Sequence, residues 1–107
     1  MNSTEMINII TKGNWRNIET QEICSFSWSD SNQSINIHFK SGNKAGRGDS
    51  HKFVKLYNSK KDMEDCTVLR FQSNLFTSEF RLCSENGPMA VASAVFGKMD
   101  LERVEEL

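Results

Sequence analysis

From residue 23 onward the apolar positions recur every second residue, the period of half-buried strands rather than of helices. Cys24, Phe26 and Trp28 alternate with Ser25, Ser27 and Ser29, which gives one apolar face and one serine-rich face. Asp30, Ser31, Asn32 and Gln33 follow, residues that satisfy local backbone groups in turns. Ile35, Ile37 and Phe39 then alternate with Asn36, His38 and Lys40. Two such runs about a short polar loop predict an antiparallel hairpin over 24–40, with Phe26, Trp28, Ile35 and Phe39 in the core.

Further along, Phe53 and Tyr57 fall on one side of a strand and Val54 and Leu56 on the other, the pattern of a strand covered on both faces. Residues 59–65 read as a polar connector with room for one helical turn. Thr67, Leu69 and Phe71 oppose Val68, Arg70 and Gln72, and Phe80 and Leu82 oppose Arg81 and Cys83. Near the start, residues 6–18 read as another hairpin turning at Gly13-Asn14, with Trp15 and Ile18 entering its second strand. Residues 84–107 admit two readings. One is a helix with Pro88 in its first turn and an apolar stripe of Met89, Ala92, Phe96 and Met99. The other, which we favour, turns at Asn86-Gly87 into a strand over 89–96 that Gly97 stops, followed by a short helix capped by Asp100.

Together these elements predict a mainly β, β-rich α+β domain spanning 1–107. It is an antiparallel meander of six to seven strands, a sandwich or partly closed barrel, ending in a short C-terminal helix. Strands followed by a terminal helix are similar in order to the pleckstrin-homology arrangement, a likeness of topology alone. The basic run Lys40, Lys44 and Arg47 stands later in the meander than the headgroup loop of those domains.

Composition narrows the class. A chain of 107 residues, 37% hydrophobic and 25% charged, can bury a modest core and is too apolar for disorder. The net charge of −1 gives no overall field toward nucleic acid or an anionic membrane. The start has no basic, apolar leader pattern, and no run approaches a membrane span, so an integral membrane protein is not expected. Three cysteines, Cys24, Cys66 and Cys83, are odd in number and far apart, which points to free thiols and a cytoplasmic setting.

The most unusual run is 40–52, which contains Gly42, Gly46 and Gly48 among Lys40, Lys44, Arg47, Asp49, His51 and Lys52. No Gly-Lys-Ser or Gly-Lys-Thr ending follows these glycines, so a P-loop is excluded, and no helix start follows Gly48 to complete a dinucleotide fingerprint. Arg47-Gly48-Asp49 spells an adhesion tripeptide, a three-residue match too short to argue from. The bland account is a solvated loop joining a strand ending at Lys40 to one starting at His51. The functional account makes Lys40, Lys44, Arg47, Asp49, His51 and Lys52 a contact for an acidic or phosphate-bearing partner.

Other chemistry is sparse. No two of Cys24, His38, His51, Cys66 and Cys83 have the short spacing of a structural zinc site, and no metal or cofactor is expected. His38 reads as an exposed strand residue and His51 as a loop end, leaving no cysteine–histidine nucleophile. Glu64-Asp65 and Glu105-Glu106 read as solvated surface carboxylates rather than an acid–base pair. Trp15-Arg16 and residues 52–57 mix rings with cations, but rings in strands are usually core.

These features favour a non-enzymatic protein-binding module, an inhibitor or immunity-type protein acting on a toxin or enzyme by one-to-one complex formation. Its uneven surface charge would orient docking: seven of the thirteen Lys/Arg lie within 40–61. The alternative is a phosphate-directed binder of nucleic acid or lipid headgroups through 40–61.

Overall fold

The computed structural model describes residues 1–104. One helix, α1 (Ser3–Thr11), precedes eight strands: β1 (Asn14–Asn17), β2 (Ile23–Ser29), β3 (Ser34–Phe39), β4 (Gly48–Lys61), β5 (Glu64–Ser73), β6 (Phe76–Leu82), β7 (Met89–Ser93) and β8 (Gly97–Val104). Each strand pairs antiparallel with the next, and β8 returns to β1 in the register Asn14↔Val104 to Asn17↔Leu101. The mainly antiparallel β expectation holds, and the sheet closes fully into an up-and-down barrel. The barrel closes through β1 and β8, but β4 outruns β3: beyond Phe53 it pairs with β5 alone, which leaves its other side open over 54–61.

The helix lies at the opposite end of the chain from the expected one. Met6 and Ile10, four apart, are buried on one face of α1, and Asn2 caps it. Asn2 Oδ1 accepts from the Glu5 backbone N–H while Glu5 Oε1 accepts from the Asn2 N–H, a reciprocal capping box. The predicted hairpin over 6–18 is therefore wrong: Gly13, at φ +68°, ends a helix instead of turning a hairpin. The predicted C-terminal helix is also replaced. Asp100 lies within β8, whose apolar Met99 and Leu101 alternate inward against Val91 and Met89. The part of that expectation beyond residue 104, with Glu105-Glu106, lies outside the described residues.

The hairpin over 24–40 holds in outline, whereas the turn expected at Asn86-Gly87 does not. Residues 83–88 form a longer loop between β6 and β7, and neither Asn86 nor Gly87 has the positive φ of a tight hairpin turn. Cys24↔Phe39, Phe26↔Ile37 and Trp28↔Ile35 face one another across β2 and β3. Phe26, Ile35 and Phe39 are buried, while Trp28 packs partly buried at the core's edge. β7 does follow β6 as a strand, but Ser93 ends it, earlier than Gly97.

β4 differs most from expectation, because it runs over fourteen residues and takes in Gly48 through the supposed connector. Asp62 and Met63, at φ +52° and +70°, form the tight turn into β5, both in the left-handed region of a type I′ hairpin. A bulge between Phe53 and Lys55 explains the apolar residues on both faces. Val54 is the extra residue and points to solvent, so Phe53 and Leu56 both aim inward at Phe71 and Leu69.

Eight strands enclose a space just wide enough for side chains. Here Phe26–Phe80, Phe71–Phe80 and Phe53–Phe71 meet edge to face at 5.3, 5.3 and 6.0 Å. The helix closes one end of this column. Trp15, fully buried, donates its Nε1–H to the Ile10 carbonyl at 2.9 Å. Arg103 at the end of β8 stacks 4.2 Å from that ring and donates to the carbonyls of Ile9 and Lys12. The last-turn carbonyls that a helix leaves unpaired are thus capped from β1 and β8.

Cys66 and Cys83 are joined by a disulfide, which corrects the expectation of three free thiols. Thr67 pairs with Leu82, so the next residues out along β5 and β6 fall directly opposite. A sequence separation of 17 conceals that adjacency. Cys24 remains a free thiol in the core; burial, with Glu22 nearby, pushes its pKa to about 12. No helix among the described residues is long and apolar enough to cross a membrane.

Candidate functional site

Of the six residues singled out in the basic stretch, Lys44, Asp49 and His51 gather at the barrel mouth, while Lys40, Arg47 and Lys52 are exposed. Residues 40–47 form a loop at the barrel end opposite α1, held by Gly46 N–H to Phe39 O and Phe39 N–H to Arg47 O at 2.9 and 3.0 Å. Lys40 is exposed and donates to Asn14 Oδ1 at 2.8 Å. Lys44 bends over the mouth, its Nζ 5.4 Å from the Phe39 ring and 5.9 Å from the Phe96 ring. Arg47 is exposed in the loop, and Lys52 is exposed on the outside of β4. Asp49 and His51 belong to β4 rather than to the loop, and His51 is buried at 3% exposure, which corrects its reading as a loop end.

His51 faces inward because it shares parity with Phe53 across one intervening residue. Its Nδ1 lies 3.4 Å from Ser78 Oγ, which donates to Ser93 Oγ at 3.1 Å. Ser78's only proton is thereby used, so the contact requires the proton on His51 Nδ1. Nε2 stands 3.2 Å from Asp49 Oδ2 but is out of line for a hydrogen bond, and it is left buried without a partner. Serine, histidine and aspartate stand in a row, but a histidine that donates to Ser78 and makes no hydrogen bond to Asp49 is the reverse of a hydrolytic relay. The arrangement lacks approach: Ser78 is 2% exposed and faces a hollow of about 10 Å³ lined by Ile35, Ile37, Phe80, Val91 and Phe96. A serine nucleophile has no room for a substrate there.

The larger concavity is on the outer wall, at positions the sequence did not single out. Strand pairing sets two outward rows side by side, Tyr57, Val68, Arg81, Ala90 and Asp100 in one, Lys55, Arg70, Glu79, Ala92 and Lys98 in the other. On β7 both rows carry only a methyl group, so Ala90 and Ala92 form the floor of a trough. Glu79 and Arg81 of β6 wall one side, and Lys98 and Asp100 of β8 wall the other. Clefts of about 220 and 270 Å³ meet here, sharing Lys61, Arg81, Ala90 and Asp100. The signal was present in the sequence as small residues at alternate positions of β7, but only the pairing register shows what flanks them.

Charges around the trough are set by their neighbours. Glu79 Oε2 accepts from Tyr57 Oη at 2.5 Å and from Arg70 at 2.9–3.0 Å. The tyrosine hydrogen bond and the arginine charge hold this carboxyl below its ordinary range, and the same bond raises the Tyr57 phenol. Arg81 is different. Its Nε is buried with no acceptor, a guanidinium edge with unused donor capacity inside the trough wall. Among the described residues no group of three or more His, Cys, Asp or Glu side chains is placed to hold a metal ion.

No protein-family model, curated protein or solved structure matches this chain.

Proposed function

We propose that this barrel is a non-enzymatic binding module that forms a one-to-one complex with another protein through the trough along β7. The observation that carries this reading is the methyl-floored cleft on the outer wall, lined by Glu79, Arg81, Lys98 and Asp100. A carboxylate of the partner fits the Arg81 guanidinium. The floor supplies apolar contact, and walls of mixed sign select a partner by complementary charge. Exposed apolar residues at the neighbouring hairpin tips, Leu75 at 93% with Phe76 and Val95, extend the surface available for contact. An inhibitor-type role fits this geometry, since the module works by occupying a partner. The Cys66–Cys83 bridge favours an oxidising compartment over the cytoplasmic one expected from cysteine count.

The phosphate-directed alternative loses support from the dispersal of Lys40, Lys44, Arg47 and Lys52 over the mouth and outer walls. The test is affinity capture from the native source with three forms of the protein, read by native mass spectrometry. Wild type and the triple variant Lys44→Ala, Arg47→Ala, Lys52→Ala retain one stoichiometric partner, and Ala90→Arg, which fills the trough, loses it. A partner kept by Ala90→Arg and lost by the triple variant refutes the assignment.

A further inference from the structure

We propose that the barrel mouth binds a small organic ammonium compound, and that the chain's own Lys44 occupies this site in the free protein. The Phe39 and Phe96 rings lie 5.0 Å apart at 61°, and the Lys44 ammonium stands over both within the range of cation–ring attraction. Two aromatic faces converging on one cation are the recognition element for alkylammonium groups. One further group at the mouth suits a positive ligand. The Asp49 carboxylate is partly exposed beside His51, whose ring lies 6.1 Å from that of Phe96.

The packing says where such a ligand sits. The hollow beneath the rings, about 10 Å³, is too small to admit an organic molecule, so nothing enters the barrel. The half-exposed Lys44 side chain is the part of the mouth that a ligand ammonium would replace. Its loop is fixed by backbone bonds, Ala45 N–H to Gly42 O and Arg47 N–H to Lys44 O, which survive when the side chain leaves. A ligand ammonium therefore replaces the lysine head in place, with Asp49 adding charge. None of Phe39, Lys44, Asp49, His51 and Phe96 lines the trough on the outer wall, so this site stands or falls independently of the proposed partner complex.

The test is a titration of Lys44→Ala and of Lys44→Gln with choline and with its uncharged isostere 3,3-dimethylbutan-1-ol, followed by side-chain NMR. Choline shifts the Phe39, Phe96 and His51 ring signals of both variants, and binds them roughly two- to thirtyfold more tightly than the isostere, the range of a cation–ring contact. Wild type binds choline more weakly than either variant because Lys44 competes, and adding Asp49→Asn to Lys44→Ala weakens it again. Equal binding of choline and isostere, or no ring shift with choline in a folded Lys44 variant, overturns the proposal.

Discussion

Replacing Arg103 with methionine keeps a long apolar stem but removes the guanidinium that joins β8 to α1. That group donates to Ile9 O at 2.7 Å and to Lys12 O, and it stacks 4.2 Å from the Trp15 ring. No basic residue in the last turn of α1 replaces it. Burial draws its pKa below the ordinary guanidinium value, yet it stays charged at neutral pH. Hydrogen bonds from a charged donor contribute about 1.5–3 kcal/mol each when enclosed. Arg103 is half-exposed, so the pair is taken near the lower bound for one, and the ring contact adds about 0.5 kcal/mol. The expected loss is about 2 kcal/mol, or roughly 8–16 °C in Tm for a domain near this size. Urea melts followed by circular dichroism should show a lower midpoint with an unchanged slope. Arg103→Lys should recover less than half of the loss, because an ammonium cannot span two carbonyls while lying flat on the indole. A change below about 0.5 kcal/mol for Arg103→Met, the size of an ordinary surface substitution, refutes the capping role.

Thiol counting on unfolded, unreduced protein should find one free thiol, Cys24, with the intact mass two hydrogens below the reduced form; three free thiols would remove the bridge. Because burial raises Cys24 from 9.0 to about 12, its contribution to stability is fully present below pH 9 and is lost as pH rises toward 12. Cys24→Ala should therefore flatten the alkaline limb of a stability–pH curve, and an unaltered limb would contradict this. Phe26→Ala should destabilise by about 3–5 kcal/mol and Ser27→Ala by less than about 0.5 kcal/mol, since only the first side chain points inward. Equal effects would mean a register shifted by one. Wild type should show no measurable binding to RNA, DNA or anionic vesicles at physiological salt; submicromolar binding lost in the triple loop variant would revive the phosphate reading.

Period-two patterning was enough to read β2, β3, β5 and β6, because one face of each meets the core and the other meets water. It failed where a second rule acts locally. At β4 the bulge at Val54 inverts the parity, so a strand with one inward face displayed apolar residues at both parities. At α1 the signal lay in Asn2 with Glu5 and in the four-residue spacing of Met6 and Ile10, and the neighbouring isoleucines obscured it. Candidate-site residues were harder to find than strands. Arg81, Ala90, Ala92 and Lys98 are adjacent only through cross-strand pairing. The same holds for Cys66 with Cys83 and for His51 with Ser78, whose contacts span 17 and 27 residues. The basic stretch had the converse property: Lys40 and Lys52, close in sequence to Lys44, face outward because Phe39 and His51 turn inward, while Lys44 folds over the mouth.

The chain contains four alanines, Ala45, Ala90, Ala92 and Ala94, so its alanine methyl spectrum reads the proposed interface with little overlap. Two methyls floor the trough, Ala45 sits in the basic loop, and Ala94 sits in the turn after β7. Titration of the methyl-labelled protein with its captured partner should shift or broaden Ala90 and Ala92, saturate at one equivalent and leave Ala45 in place. Movement of Ala45 with Ala90 and Ala92 unmoved would contradict binding through the β7 trough.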